Sequence, residues 1–345
     1  HYSRLRGTAP AAVGTSAGGP VHISVAPTTK AHLRKAVILT LGYCYHSRLD
    51  HDQRSRYRQR ICDSWKSLAA FHAGGLWLDL STPSDLQAKM VETQHEFVSQ
   101  MELGEGIALN EALRENLFML LVSVMNQIPI LLIGKPGCSK SLAMGILQSN
   151  LNGQVSSKEF FKSMPAVDVF PYQCSPLSTP EAILGAFESA RQSNLGHKST
   201  IVCVLLDEVG LAEESPHLPL KVLHRELEDL QGIACVGISN WSLDAAKMSR
   251  FVTLYRPPAT VEDLRVTAEG MVASANLRGY LKALSEAFFD VYRTQGRPDF
   301  WGMREFYSTV RVVHAELRDR AARGGEAALE PQVLLRTVQR NFGGR

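Results

Sequence analysis

The sequence predicts an α/β fold in which helices flank a parallel β-sheet and an all-helical region follows. Short, largely apolar runs occur at 130–133, 167–172, 201–206, 233–238 and 251–254. Such runs are typical of strands that are buried on both faces of a sheet. Helical segments separate the first four runs, and strands that alternate with helices pair in parallel. After Pro257 and Pro258 only helical patterns remain.

The composition is that of a globular protein. The chain has 345 residues, of which 45% are hydrophobic and 21% charged, and this length allows one large domain or two ordinary ones. The net charge of +3 neither requires nucleic acid nor excludes it. No apolar run reaches the roughly 18 residues that a membrane-spanning helix needs. The six cysteines form no CxxC pair, which gives no zinc or redox motif and favours a reducing compartment, the cytoplasm.

Four regions are expected along the chain. Residues 1–20 are rich in Ala, Gly, Thr and Pro and are predicted to be disordered. A helical linker region over 21–100 precedes a large domain over 101–256, and a helical lid follows over 257–345. The chain begins with His1 and shows no signal peptide, so we expect it to be a piece of a longer protein.

A basic segment lies at 48–60, where five arginines and two aspartates occur in RLDHDQRSRYRQR. The simpler interpretation is a solvated helix face, and the alternative is a surface that contacts phosphates of a nucleic acid. His46 and His51 have no cysteine or carboxylate at ligand spacing, so both are expected at the surface.

The motif GKPGCSKS at 134–141 follows an apolar strand and precedes a helix, which is the setting of a Walker A phosphate loop. Its backbone N–H groups and the helix N-terminus would bind phosphate, Lys140 would reach the β- and γ-phosphates, and Ser141 would ligate Mg²⁺. Ser139 replaces the usual glycine, which is tolerated if its backbone angle is ordinary. The expected nucleotide-binding residues are Gly134, Pro136, Gly137, Cys138, Ser139, Lys140, Ser141 and Leu142.

A second motif, VCVLLDEVG at 202–210, is an apolar strand that ends in two carboxylates, the Walker B arrangement. Asp207 is expected to hold Mg²⁺ through its water shell, and Glu208 is expected to polarise the attacking water as general base. Together with the phosphate loop, in this order and spacing, the motif predicts an ATP-hydrolysing module of the AAA+ kind.

Three further polar residues complete the expected catalytic set. Asn240 ends the next apolar strand, and ligands of parallel sheets bind at the carboxyl ends of strands, so it could orient the attacking water as sensor 1. Arg250 precedes the last strand, where AAA+ proteins carry an arginine finger that faces the neighbouring module. Arg304, in FWGMREFY, could reach the γ-phosphate as sensor 2.

Cys138 suggests a separate hypothesis. It lies inside the phosphate loop at a helix N-terminus, where the pKa of a thiol tends to fall. Its alkylation or oxidation would then block ATP binding, and the alternative is an unreactive filler residue.

With these motifs in place, the chain resembles one AAA+ module, the fourth, of the mysterin family of giant RING-type E3 ubiquitin ligases with a dynein-like core. The resemblance covers roughly residues 95–345, and 20–94 match more loosely. The sequence segments that carry the resemblance are GKPGCSKSLA, FPYQCSPLSTPEAIL, VLLDEVGLAEESPHLPLKVLH, GISNWSLDAAKMSR and FWGMREFYSTVR. Two departures are a shorter connection at 227–232 and the absence of a Gly-Ile pair after Arg250.

The resemblance implies ATP and Mg²⁺ as cofactors and neighbouring AAA+ modules, closed into a ring, as partners. It further implies a cytoplasmic protein with lipid-droplet association, whose ligase machinery lies C-terminal to the modules; this chain shows no RING spacing of Cys and His. The expected function is to couple the nucleotide state to the conformation of a larger assembly. The alternatives are a non-hydrolysing nucleotide-binding scaffold and a nucleic-acid-remodelling ATPase.

Overall fold

The computed structural model describes residues 27–71, 80, 82–195, 199–272, 277–297, 300–323 and 330–342. The segment predicted to be disordered, 1–20, lies outside these residues. The described chain forms two compact units. The first unit contains the described residues up to 101 together with 118–133 and 147–255, and the second contains 102–117, 134–146 and 256–342.

The first unit is built around a five-stranded sheet in which every pairing is parallel. The strand order is β2-β3-β4-β1-β5. All five predicted strands are confirmed, with ends that differ by no more than a residue or so from the apolar runs. The strands are β1 Ile130–Ile133, β2 Ala166–Gln173, β3 Thr200–Asp207, β4 Ala234–Ser239 and β5 Val252–Tyr255.

Helices account for most of the remaining described residues. The N-terminal helices of the first unit are α1 Pro27–Thr40, α2 His51–Phe71 and α3 Pro83–Val98. The helices before and between the strands are α4 Glu111–Met125, α5 Lys140–Asn150, α6 Glu159–Lys162, α7 Pro180–Asn194, α8 Leu223–Glu226 and α9 Ala245–Met248. The C-terminal helices are α10 Val261–Met271, α11 Arg278–Thr294, α12 Met303–Ala322 and α13 Pro331–Phe342.

Local sequence sets the start of several helices. The Thr179 hydroxyl accepts a hydrogen bond from the Ala182 amide, and Pro180 occupies the first turn of α7, where a missing N–H costs nothing. Helices α3 and α10 each begin with a capping box, in which a threonine and an aspartate three residues later satisfy one another's amides. These caps place the helix ends without help from distant contacts.

The sheet supplies the core of the first unit. The four side chains of β1 are at most 1% exposed, and those of β4 are all buried. Each large aliphatic side chain buried in this way contributes roughly 1.5–3 kcal/mol to folding. β1 and β4 are therefore buried on both faces of the sheet, as the sequence predicts, whereas β2, at the edge of the sheet, is mostly half-buried or exposed.

Residues 46–54 cover the free edge of β5. The outward carbonyl of Phe251 accepts from the Arg48 guanidinium (3.1 Å), that of Thr253 from the Ser47 hydroxyl (3.1 Å), and that of Tyr255 from the Arg54 guanidinium (3.2 Å). An unpaired strand edge is a site of aggregation, and here its alternate acceptors are all satisfied by side chains.

This edge contact corrects two predictions about the basic segment. Arg54 is only 5% exposed, so a solvated helix face is not a full description of 48–60. His46 is 8% exposed and lies 2.8 Å from the Arg58 guanidinium, so it is not a surface residue. The charge pattern could not separate arginines that bind backbone carbonyls from arginines that point into water.

The second unit has a helical core of its own. Leu264 of α10, Leu281 and Phe288 of α11 and Phe306 of α12 are buried together, and the Phe288 and Phe306 rings lie 5.0 Å apart. Arg256 and Glu115 form a buried ion pair in the same unit. The all-helical pattern predicted after Pro258 is confirmed over the described residues of this region. Among the described helices, none combines the length and apolarity that crossing a membrane requires.

We predict that Arg54→Ala lowers the free energy of unfolding by about 2–3 kcal/mol, because it removes a buried guanidinium and leaves the Tyr255 carbonyl without its donor. Arg56→Ala is the matched control, since Arg56 lies two residues away on the same helix and is exposed. Urea unfolding of both variants checks the prediction. Equal midpoints for the two variants would contradict the proposed role of residues 46–54 at the sheet edge.

Candidate functional site

The phosphate loop begins where β1 ends and runs into α5. Two of its residues have left-handed backbone angles, Gly137 with φ +90° and Ser139 with φ +56°. Alternation of such residues with ordinary ones turns successive N–H groups towards one side and makes an anion-binding concavity. The predicted strand–loop–helix setting of the Walker A motif is therefore present.

Gly137 is required by space as well as by conformation. A Cβ atom added at this position would lie 2.5 Å from the Cβ of Met303, which is the first residue of α12. Helix α12 thus packs directly against the loop backbone in the second unit. The sequence indicated a glycine here from the motif, but gave no sign that its partner is a methionine more than 160 residues further on.

Ser139 differs from the expectation. Its replacement of glycine was expected to be tolerated on condition of an ordinary backbone angle, and the angle is left-handed. For a residue with a Cβ, this conformation is unfavourable by roughly 1 kcal/mol or more. The loop therefore keeps the backbone shape that glycine would adopt, at a cost in stability.

Lys140 is buried, and its Nζ donates hydrogen bonds to the carbonyl oxygens of Gly134 and Lys135, the latter at 3.1 Å. Ser141 and Leu142 follow at the start of α5 and are exposed. The ammonium group is thus held within the loop by loop carbonyls, which are acceptors that phosphate oxygens can replace.

Cys138 does not have the lowered pKa that its position at a helix N-terminus suggested. The thiol is 8% exposed, and burial raises its pKa, an effect that Lys140 and Arg256 only partly offset. Desolvation of the thiolate outweighs the nearby positive charges. The raised pKa favours the alternative, an unreactive cysteine, over the hypothesis of a reactive one.

Two residues that the sequence reasoning missed bind the loop backbone. Asn116 on α4 donates from Nδ2 to the Cys138 carbonyl at 2.9 Å, and Tyr307 on α12 donates from its hydroxyl to the Gly137 carbonyl at 3.3 Å. Arg304, predicted to sense the γ-phosphate, is an exposed residue on α12 between Met303 and Tyr307. Asn116 is one polar residue among the apolar ones of α4, and Tyr307 ends an aromatic segment, so neither stands out in sequence.

The carboxylates of the Walker B motif lie at the carboxyl end of β3 in the first unit. Glu208 has a left-handed backbone (φ 51°, ψ 39°), and its carboxylate accepts a hydrogen bond from the Gln173 side chain at 3.0 Å. The Asp207 carboxylate accepts from the Glu208 amide at 3.0 Å. Strained backbone at a non-glycine residue is common at functional sites, and the role of Glu208 as general base stays a prediction. Gln173 is a further residue that the motifs did not indicate.

Asn240 follows β4 directly and is half-buried. The neighbouring segment is tightly packed, because a Cβ added to Gly210 would lie 2.7 Å from the Ser239 hydroxyl and 2.8 Å from the Trp241 ring. Since β3 and β4 are paired in register, the residues that follow them lie at the same edge of the sheet. The structure thus brings the Asp207–Glu208 pair and the Asn240 segment together.

Arg250 is held within its own unit. Its guanidinium donates to the Ala246 carbonyl at 2.6 Å and lies 3.6 Å from the Glu228 carboxylate, which belongs to the short connection at 227–232. The helix before it is anchored in turn, because the Lys247 ammonium binds the Glu213 carboxylate at 2.8 Å. Its action on a neighbouring module stays a prediction.

The loop, in the second unit, suits a phosphate group, because it offers glycine backbone in a concave turn, a buried ammonium group and exposed Ser141. In the first unit, the carboxyl end of β3 offers the carboxylates of Asp207 and Glu208. No group of three or more His, Cys, Asp or Glu close enough to hold a metal occurs in the described part of the chain. Mg²⁺ is commonly held by one or two protein oxygens together with phosphate and water, and the Ser141 hydroxyl of the second unit and the two carboxylates of the first unit are oxygens of this kind.

A parallel sheet with the order β2-β3-β4-β1-β5 and a phosphate loop after β1 defines the AAA+ class of P-loop proteins. The particular family follows from the comparison with known sequences. Residues 106–263 match the family model of the RNF213 AAA domain, and this part of the chain belongs to that family. RNF213 is the ligase also called mysterin, so the resemblance predicted from the motifs is confirmed.

The similarity to known proteins extends over nearly the whole chain. The E3 ubiquitin-protein ligase RNF213 of Mus musculus is 33% identical over 326 residues, and that of Homo sapiens 34% over 326 residues. Each alignment covers 90% of this chain, which spans only 6% of each relative's length. Among solved structures, the Aeropyrum pernix ORC1 protein in complex with DNA aligns with a TM-score of 0.45 at 17% identity, covering 69% of this chain and 71% of that one.

We predict that Ser139→Gly raises the free energy of unfolding by about 0.5–1 kcal/mol, because glycine adopts the left-handed backbone without strain. Denaturant unfolding measures the change. Gly137→Ala is the opposing control, since its Cβ would meet Met303, and it is expected to destabilise the chain. A less stable Ser139→Gly variant would contradict the assignment of strain to this residue.

Proposed function

We propose that the chain is an ATP-binding and ATP-hydrolysing AAA+ module with Mg²⁺ as cofactor. The observation that supports hydrolysis best is Glu208, a strained residue whose carboxylate is oriented by the Gln173 side chain. Binding of a nucleotide alone does not require a carboxylate at this position. Left-handed backbone occurs also at Gln127, Leu218 and Gln231. What distinguishes Glu208 is the combination of this strain with its place at the end of β3 and with the Gln173 hydrogen bond.

In the proposed mechanism the loop amides and Lys140 bind the phosphates, and Ser141 and Asp207 hold the metal ion. When bound, Mg²⁺ would neutralise charge that develops on the phosphate oxygens. The present hydrogen bonds of Lys140 to the Gly134 and Lys135 carbonyls keep the ammonium group inside the loop. Exchange of one of these neutral acceptors for a phosphate oxygen would pair the ammonium group with an opposite charge.

Glu208 would accept a proton from the attacking water, and Asn240 would orient that water. The Gln173 hydrogen bond holds the Glu208 carboxylate at 3.0 Å. Arg304 is proposed as the sensor of the γ-phosphate, in keeping with its exposed position on α12. Arg250 is proposed to act as an arginine finger on a neighbouring module, which requires that it leave Ala246 and Glu228.

At the level of the parent protein, we propose a module of an E3 ubiquitin ligase that passes its nucleotide state to neighbouring AAA+ modules of a ring. The support is the sequence identity of 33% and 34% with two RNF213 ligases, in alignments that cover 90% of the chain. Ubiquitin transfer would belong to other parts of that protein. Placement in the cytoplasm and association with lipid droplets are proposed on the same resemblance.

A non-hydrolysing scaffold is the main alternative, and Glu208 is the residue that argues against it. A nucleic-acid-remodelling ATPase has less support than the sequence suggested. Arg48 and Arg54 of the basic segment bind the carbonyls of Phe251 and Tyr255 at the edge of the sheet. Of the other arginines of this segment, Arg56 and Arg60 are exposed.

We predict that Glu208→Gln lowers the rate of phosphate release from Mg·ATP by about 10²–10⁴-fold, the usual contribution of a general base, while the affinity for ATP is retained. Phosphate release and equilibrium binding of ATP are both measured on the same preparation. Turnover of ATP by the unsubstituted chain is expected to be slow, since the arginine finger for its site would come from another module.

Glu214→Gln is the matched control for this test. Glu214 is exposed and lies six residues further along the chain, so the Glu214→Gln variant should release phosphate as fast as the unsubstituted chain does. Equal rates for Glu208→Gln and the unsubstituted chain would contradict hydrolysis by this module and favour the scaffold.

A further inference from the structure

Two consecutive peptide groups of the phosphate loop are held from outside by side chains on different helices. The Gly137 carbonyl accepts from the Tyr307 hydroxyl of α12 at 3.3 Å. The Cys138 carbonyl accepts from Asn116 Nδ2 of α4 at 2.9 Å. All four residues lie in the second unit. The contacts thus join the loop to two elements that are 22 and 170 residues away in sequence.

These contacts fix the direction of the loop amides. A peptide group is planar and trans, so its N–H points away from its C=O. A carbonyl of Gly137 held by Tyr307 therefore turns the Cys138 N–H to the opposite side, where it donates to the Lys135 carbonyl at 3.4 Å, an acceptor that a phosphate oxygen would replace. In the same way the Asn116 contact with the Cys138 carbonyl turns the Ser139 N–H away from α4. Both N–H groups belong to residues expected to bind phosphate.

Asn116 carries a cost that packing alone does not explain. It is fully buried, and its Oδ1 atom has no hydrogen-bond partner among the described residues. A buried acceptor without a partner costs roughly 1–3 kcal/mol, and an apolar residue of similar shape would avoid that cost. The one hydrogen bond that Asn116 makes through Nδ2 is to the loop. This is the bond that an aliphatic side chain could not supply.

Tyr307 is fixed by its own surroundings. Thr267 of α10 lies beside this hydroxyl and is itself held in place, because its Oγ1 accepts from Asn110 Nδ2 at 2.8 Å and donates to the Asp263 carbonyl at 2.6 Å. Burial raises the pKa of the Tyr307 phenol, so the hydroxyl keeps its proton and acts as a donor at neutral pH. Met303, one helical turn earlier, packs on Gly137 from the same helix.

We propose that Asn116 and Tyr307 are positioning residues that set the phosphate-binding amides of the loop, and that the ligand group they serve is the polyphosphate chain of a nucleotide. The proposal rests on the proposed nucleotide-binding function. It adds that α12 contributes through Tyr307 to the shape of the loop, in addition to any contact that Arg304 makes with the γ-phosphate.

Calorimetric titration of the full chain with Mg·ATP, and separately with Mg·tripolyphosphate, tests the proposal. Tyr307→Phe keeps the ring and removes only the donor, and is expected to raise both dissociation constants about tenfold. Asn116→Asp keeps the shape, replaces the amide donor by a carboxylate, and should have at least this effect. Tyr280→Phe is the matched control, because Tyr280 is 51% exposed on α11, and its dissociation constants should not change.

The binding stoichiometry and the midpoint of thermal unfolding separate positioning from folding. Weaker binding at unchanged stoichiometry, with an unfolding midpoint within a few degrees, supports the proposal. Unchanged dissociation constants in Tyr307→Phe would overturn it, even if Asn116→Asp failed to fold. A fall in stoichiometry alone would overturn it as well, since that result indicates a structural role. If the unsubstituted chain bound neither ligand, the proposed nucleotide function itself would fail.

Discussion

The in-register pairing of β1 with β4 and β5 is the constraint on which the rest of the architecture depends. Four side chains buried on both faces of the sheet fix β1, and its last residue, Ile133, pairs with Ser239 at the end of β4. The strand therefore stops at the edge of the sheet where Asp207 and Asn240 also lie. Without that register, the phosphate loop that follows β1 would have no defined starting point.

Backbone strain occurs at two of the residues for which a chemical role is proposed. Ser139 in the loop and Glu208 after β3 both hold left-handed angles that side chains rarely adopt. Such strain persists only where the surroundings over-determine it. For the loop, those surroundings include the Met303 contact and the two carbonyl contacts from Asn116 and Tyr307. For Glu208, the tightly packed Gly210 beside Ser239 and Trp241 has the same effect.

The strands, helix α4 over Glu111–Met125 and the order of the motifs could be predicted, because burial on both faces and the helical period leave direct traces in the sequence. Contacts between distant segments leave no such trace. The binding of Arg48 and Arg54 to β5, the burial of His46 and the role of Asn116 depend on pairs of residues that only the folded chain brings together. The prediction for Cys138 was wrong because a helix N-terminus lowers a thiol pKa only where desolvation does not exceed its effect.

The central claim, that the loop after β1 binds nucleotide phosphates, is tested most directly by equilibrium binding of Mg·ATP to Lys140→Met. Methionine fills similar space without the charge, and the loss of a charge-assisted contact with phosphate should weaken binding about 100-fold. Lys221→Met, at an exposed lysine outside the loop, is expected to bind as the unsubstituted chain does. Equal affinity for ATP in the Lys140→Met and Lys221→Met variants would contradict the account.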